Sequence, residues 1–240
     1  MNLQEKEAGF SLLEVIVSLA IFSALAALLL STVAQTSLLQ KKSESQSETV
    51  GMARQALERI LQDVSQAYLS KNQPSLADEV PATFFEGFSK DPVDEVQFSY
   101  LGHVSHEPDS KEADFGVVRY YGLPDPLDKN VYRLIREEKP RVQKSSSVDK
   151  ALDAFVVCER VIRLELRYYR LEVGSPKEWL DHWSTRQATG RPFRLPYRVS
   201  ARLVVALPKM AKDPAGQPRT VELVSETTLM MQQPVDSSLN

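Results

Sequence analysis

Residues 10–30 read FSLLEVIVSLAIFSALAALLL, an apolar run carrying a single charge, Glu14. As a helix this run is long enough to cross a hydrocarbon core of about 30 Å. No proline occurs between Met1 and Gln73, so nothing breaks the helix there, and one long helix is predicted over about 10–68. Its middle, 40–49, is polar all round, as befits a stretch that has left the bilayer for water. Beyond it Val50, Ala53, Leu57, Ile60, Leu61, Val64 and Tyr68 recur at spacings of three and four, an apolar stripe suited to lie on a sheet. Gly51, at the junction, lowers helix stability by about 1 kcal/mol relative to alanine and marks a candidate bend.

Past Pro74 the period falls from 3.6 to two. Val96, Phe98 and Tyr100 alternate with Glu95, Gln97 and Ser99, which predicts a strand with one wet face. Residues 116–123 and 131–137 flank LPDPLDKN, whose prolines and aspartates form turns, so the pair reads as a hairpin. In 161–171 one face holds Ile162, Leu164, Leu166 and Tyr168, the other Arg163, Glu165, Arg167 and Tyr169. Residues 199–207 alternate through Val199, Ala201, Leu203, Val205 and Leu207, and 220–231 reads as a last, partly exposed edge strand. The stretches 70–82, 105–112, 143–149 and 209–218 are rich in turn formers or charge and read as loops. A helix followed by strands predicts an α+β fold, with the amphipathic half of the helix packed on an antiparallel sheet.

Composition narrows the function. The 240 residues suffice for one membrane element and one globular domain. The 29 basic and 32 acidic residues are intermixed, leaving a net charge of -3 and no basic stripe for a phosphate backbone, which argues against nucleic acid as a partner. Cys158 is the only cysteine, so no intramolecular disulfide, thiol redox pair or Cys-rich zinc site is available. Its context, AFVVC, is that of a core residue.

Candidate chemistry is sparse. His103, His106 and His182 are too few and too scattered for a metal spacing, and His103-x-x-His106 falls in a loop beside Glu107 and Asp109. Asp91, Asp94 and Glu95 offer the oxygens calcium takes, but without EF-hand spacing or a loop glycine they read as a solvated acidic turn. Trp179 and Trp183 stand four apart in SPKEWLDHWS, which predicts one side of a short helix and a candidate interface. No GxSxG and no glycine loop for phosphate is present. The reading is therefore no enzyme, no resident metal and no cofactor.

Hydropathy alone leaves two readings of the N-terminus open, an uncleaved signal anchor and a precursor cut ahead of the apolar run. A secretory signal would place its small-residue cut site after a shorter core, whereas here Ala8 and Gly9 precede it. Glu14 separates the two readings. A carboxylate inside an apolar helix costs about 2.5–3.5 kcal/mol unless paired. Cleavage between Gly9 and Phe10 would supply the partner: a new α-amino group four residues away, able to meet Glu14 of the next subunit in a stack. The segment Gly9-Phe10-Ser11-Leu12-Leu13-Glu14-Val15 before its apolar run resembles the class III signal of type IV pilins and type II secretion pseudopilins. That resemblance implies cleavage after Gly9 by a prepilin peptidase, N-methylation of Phe10 and an assembly role for Glu14. It departs from the family in its leader, where Lys6 stands between Glu5 and Glu7 instead of a basic run.

Within that family three further stretches are similar to the minor pseudopilin J of type II secretion: residues 54–63, the VVRYYGL…VYRLIRE hairpin, and VIRLELRYYRLE with the two tryptophans after it. The resemblance implies a leader at 1–9, a transmembrane helix at 10–30, its amphipathic continuation at 31–70 and a periplasmic β-rich domain at 71–240, in the pilin-like fold. It further implies a single-pass protein of the bacterial inner membrane that assembles near the tip of a periplasmic pseudopilus, initiates the filament and supports protein export. The implied partners are I- and K-like minor pseudopilins, the major pseudopilin, the inner-membrane assembly platform and the prepilin peptidase. A minor type IV pilin of a surface or DNA-uptake pilus shares the same N-terminus. A reading of another class, a monomeric anchored periplasmic binding module, predicts no processing at Gly9.

Overall fold

A computed structural model describes residues 11–70, 83–102, 116–140, 153–171, 177–186, 194–208 and 219–231. The loops expected at 70–82, 105–112, 143–149 and 209–218 lie outside these residues except for Ser70, whose N–H donates to Thr83 Oγ1 at 2.8 Å. Helix α1 spans Leu12–Ser65 and runs through Gly51. The chain divides into two compact units, Met1–Ser47 and Glu48–Asn240.

In the first unit α1 exposes Leu12, Ile16, Leu19, Phe22, Leu25 and Leu29 among other apolar residues. Three of its hydroxyls donate within the helix, Ser23 to the Leu19 carbonyl at 2.7 Å, Thr32 to that of Leu28 at 2.9 Å and Thr36 to that of Thr32 at 2.9 Å. Such back-bonding satisfies these hydroxyls without water, the condition lipid imposes. By length and apolarity α1 is able to cross a membrane.

In the second unit the end of α1 buries Ala53, Leu57, Ile60, Leu61 and Val64 of the predicted stripe, with Ala56 beside them, while Val50 is half-buried. The helix stops at Ser65, earlier than the predicted 68, because the sheet claims the backbone that follows: Tyr68 N–H donates to the Ser99 carbonyl at 3.0 Å. Tyr68 is buried all the same, from an extended segment.

The strands are β1 (Phe85–Phe88), β2 (Glu95–Tyr100), β3 (Gly116–Pro124), β4 (Tyr132–Pro140), β5 (Asp153–Arg170), β6 (Glu178–Leu180), β7 (Trp183–Ser184), β8 (Arg198–Ala206) and β9 (Thr220–Thr228). Among the described residues they form one sheet in the order β7-β1-β2-β3-β4-β5-β8-β9, with β6 on β5, and every paired neighbour is antiparallel. The predicted hairpin is β3–β4, held in register from Gly116↔Pro140 to Pro124↔Tyr132. The sheet curls until Val93, just ahead of β2, bridges Leu164 in the middle of β5. There Asp94 N–H donates to the Leu164 carbonyl at 3.0 Å, and Leu166 N–H donates to Asp94 Oδ2 at 2.7 Å.

Two side-chain assignments differ from the alternation in the sequence. Ile162 is only half-buried, while Val161 is inside. The register against β8 passes from Val161↔Val205 to Arg163↔Val204, so Ile162 is the extra residue of a bulge and reverses the alternation. Arg160, where the register of β5 against β4 passes irregularly from Val161 to Cys158, has φ 57°, a left-handed conformation uncommon for a non-glycine residue. On β2, Glu95 and Ser99 are buried rather than wet, since β1 and β3 flank that strand and supply partners: Phe84 N–H donates to Ser99 Oγ at 3.3 Å and Arg119 Nε to Glu95 Oε1 at 2.6 Å.

Tyr168 brings its ring edge-on to Phe85, and its hydroxyl lies where a side chain on Gly87 would stand, 2.0 Å from an added Cβ. That hydroxyl is buried without a hydrogen-bond partner among the described residues. Burying an unpaired hydroxyl costs about 1–3 kcal/mol. Tyr168→Phe is therefore expected to be neutral or to raise stability in thermal unfolding, whereas Tyr120→Phe, which removes a buried donor to Asp63 at 2.7 Å, lowers it. A Tyr168→Phe protein clearly less stable than the parent would mean that the hydroxyl has a partner.

Candidate assembly site

Ser11 stands just outside α1, and its Oγ accepts from Glu14 N–H at 3.3 Å. That is the donor half of an S-x-x-E capping box, with Glu14 at the third helical position, where the acid also meets the positive end of the helix dipole. Gly9 and Phe10 lie outside the described residues. The capping spacing was present in the sequence beside the processing motif.

A second cluster, absent from the sequence reading, ties the other end of α1 to the sheet. Arg136 and Asp63 are 1% and 3% exposed. Arg136 donates through Nε to Asp63 Oδ2 at 2.8 Å, through Nη1 to Glu138 at 2.5 Å and through Nη2 to the Tyr100 hydroxyl at 3.1 Å. Arg59, one turn back on α1, lies 3.3 Å from Asp63 Oδ1. Burial opposes the Arg136 charge, yet Asp63 and Glu138 outweigh it and hold the guanidinium pKa above its ordinary value. Burial, then the Asp63 charge, pushes Tyr120 up as well. The signal was available: Asp63 falls within the apolar stripe of α1, and Arg136 shares an alternating face with Leu134 on β4.

The acidic turn is divided between water and protein. Asp91 is exposed, 3.5 Å from Arg163. Asp94 and Glu95 are buried, correcting the expectation of a solvated turn. Burial pushes the Asp94 carboxyl above the usual range against the backbone donors Leu166 and Lys90. Burial also opposes the Glu95 charge, but hydrogen bonds from Arg119 and Lys90 hold its carboxyl below that range. Beside them lies a cavity of about 290 Å³ lined in part by Ser89, Asp94, Arg163, Arg167 and Asp181. Its acidic and basic groups are interspersed, and among the described residues no group of three His, Cys, Asp or Glu is placed to hold a metal ion.

The tryptophans do not share a helix face. Trp179 pairs through its backbone with Tyr169 of β5, Trp183 with Gly87 of β1, so two ladders compete successfully with one isolated helical turn. Trp183 is buried with Nε1 donating to the Arg194 carbonyl at 2.9 Å. Trp179 is half-buried, its ring 5.1 Å from that of Tyr169. Cys158 sits in the core, where burial and then the Glu159 charge push its thiol up to about 12. His182 is exposed beside Asp181, and His103 and His106 lie outside the described residues.

Comparison with known family models bears on residues 5–210. The family model described as type II secretion system protein J matches residues 30–210, and that of the prokaryotic N-terminal methylation motif matches residues 5–30. A search of curated proteins returns no match. Among solved structures, a chain of the GspK-GspI-GspJ complex from the enterotoxigenic Escherichia coli type 2 secretion system is 15% identical, with a TM-score of 0.42 over 77% of this chain and 99% of that one. A type IV-like pilin from Thermus thermophilus is 11% identical, with a TM-score of 0.41 over 75% of this chain and 95% of that one.

Proposed function

Since the chain belongs to the type II secretion system protein J family, the minor pseudopilins, we propose that it is processed after Gly9, methylated on Phe10 and built through α1 into the tip of a periplasmic pseudopilus. There it helps to initiate the filament and so supports protein export. The observation that supports this most is the coincidence of two independent matches on one chain: the methylation motif over 5–30, on a helix whose apolar side chains face outward, and the protein J model over 30–210. In this reading the apolar half of α1 anchors the subunit in the bacterial inner membrane and the sheet domain stands in the periplasm. Glu14 pairs with the α-amino group of a neighbouring subunit, and of the two tryptophans only the half-buried Trp179 is placed to border a contact, Trp183 being buried. The partners are I- and K-like minor pseudopilins, the major pseudopilin, the assembly platform and, during maturation, the prepilin peptidase. The family is a structural one, and the proposed work of the chain is assembly rather than catalysis.

Intact mass and N-terminal sequencing of the protein taken from membranes, with the peptidase present and then absent, test the pathway. The expected result is a start at Phe10 with one added methyl group, found only with the peptidase. A Met1 start in both preparations would overturn the proposal and leave the uncleaved, anchored binding module.

A further inference from the structure

The outward face of β5 joins an aromatic cluster to the cavity described above. Tyr168 is buried in the core, so its neighbour Tyr169 belongs to the opposite face. The β5–β6 register sets Trp179 against Tyr169, and Tyr197, just ahead of β8, donates its N–H to the Tyr169 carbonyl at 3.0 Å. The Tyr169 ring lies 5.1 Å from that of Trp179 at 50° and 6.5 Å from that of Tyr197 at 62°. Rings tilted in this way cover one another less than stacked rings do, and all three residues are half-buried, so part of the aromatic surface stays open.

The same face runs on into the cavity. Arg167 and Arg163 precede Tyr169 at the strand period of two, and both line the cavity together with Asp181, two residues beyond Trp179. Its volume of about 290 Å³ is at the lower end for ligand sites, room for one ring-sized unit of a longer molecule. The charges around it balance. Arg163 lies 3.5 Å from Asp91. A hydrogen bond with His182 and, more weakly, the Arg167 charge hold the Asp181 carboxyl below the usual carboxylate range. All four of these charged side chains are exposed.

This chemistry selects among ligands. An anion meets Asp91 and Asp181 and a cation meets Arg163 and Arg167, so net charge of either sign is opposed. A hydroxyl both donates and accepts, and neighbouring hydroxyls match the two oxygens of a carboxylate and the fork of a guanidinium. The C–H faces of a sugar ring are apolar and suit the negative faces of aromatic rings. A peptide strand is served poorly, because Tyr168 and Tyr169 are already paired with β6 on one side and β8 on the other and offer it no ladder. We infer that this face of β5 and β6 is a binding site for an uncharged oligosaccharide. Trp179, Tyr169 and Tyr197 pack against one sugar ring, and Arg167 and Asp181 hydrogen-bond the hydroxyls of the next in the cavity. The inference goes beyond the pseudopilin reading and does not depend on it.

The test is isothermal titration calorimetry of the full chain in lipid nanodiscs prepared without glycoside detergents and without neighbouring subunits. The probes are uncharged tetrasaccharides of glucose, mannose, galactose and N-acetylglucosamine, set against tetragalacturonate, tetralysine and tetraalanine. The expected result is saturable binding of at least one uncharged sugar and of none of the three counterparts at the same concentration. Trp179→Ala and Arg167→Gln are each expected to weaken that binding at least tenfold. Arg167 is exposed, so its replacement leaves the melting temperature unchanged, and it decides alone if Trp179→Ala lowers that temperature. The site is overturned by no binding of any uncharged sugar, by a counterpart that binds as tightly as the best sugar, or by parental affinity in Arg167→Gln. Since filament assembly plays no part in the readout, each of these failures leaves the pseudopilin reading where it stood.

Discussion

Replacing Arg136 by alanine is expected to destabilise the sheet domain by about 3–5 kcal/mol, the range found when one partner of a buried ion pair is removed. For a domain of this size that is on the order of 10 °C in the midpoint of thermal unfolding. The substitution strips Asp63 of its 2.8 Å partner and takes from the Tyr100 hydroxyl and from Glu138 the guanidinium donor that each accepts from. Arg59 cannot take over, because it already lies 3.3 Å from the other oxygen of Asp63 and is itself largely exposed, so water screens it. Asp63→Ala should cost a similar amount from the other side of the contact. Asp63→Leu combined with Arg136→Met should cost less than either single truncation, since it removes both charges at roughly conserved volume. A loss below about 1 kcal/mol for Arg136→Ala, or strictly additive losses in the double mutant, would show that apolar packing of Ala53, Ile60 and Val64 holds the helix to the sheet without the clamp.

The elements that one period determines were legible in the sequence. The stripe Ala53, Leu57, Ile60 and Val64, the β3–β4 hairpin about its proline-rich turn, and the alternation Val199, Ala201, Leu203 and Val205 on β8 all follow from spacing, and each packs as spaced. What spacing could not convey was an interruption of spacing. The bulge at Ile162 leaves no mark on a run of alternating residues, because it is created by the register of β8 against β5. The tryptophan pair misled for a related reason: a separation of four fits a helical turn, but two distant strands offered backbone bonds to Trp179 and Trp183 that one local turn could not match. Asp63 and Arg136 were visible as charges at apolar positions. Their meaning required knowing that the two positions face each other, since a buried charge is interpretable only together with its partner. At the N-terminus, motif and capping box overlap in the same residues, so the sequence carried both roles of Glu14 and displayed the processing motif more plainly.

That overlap makes Glu14 the site of the largest functional effect expected. Glu14→Gln and Glu14→Ala should each reduce incorporation into filaments, and secretion with it, by more than tenfold, while membrane insertion and cleavage after Gly9 continue. The two substitutions separate the capping role from the assembly role. Glutamine at the third helical position still completes a capping box with Ser11, so a Glu14→Gln subunit keeps its helix start and loses only the charge. If capping were the point, glutamine would restore function and alanine would cost about 1 kcal/mol of local helix stability. If charge pairing is the point, glutamine fails as badly as alanine. A carboxylate held in the apolar layer carries a penalty of about 2.5–3.5 kcal/mol that an opposite charge removes. A neutral residue at this position forfeits that gain and leaves the neighbour's α-amino group unpaired. Filament yield and secreted protein measured for both variants, alongside N-terminal sequencing to confirm processing, decide between them: normal assembly by Glu14→Gln would remove the pairing of Glu14 with a neighbouring subunit from the account.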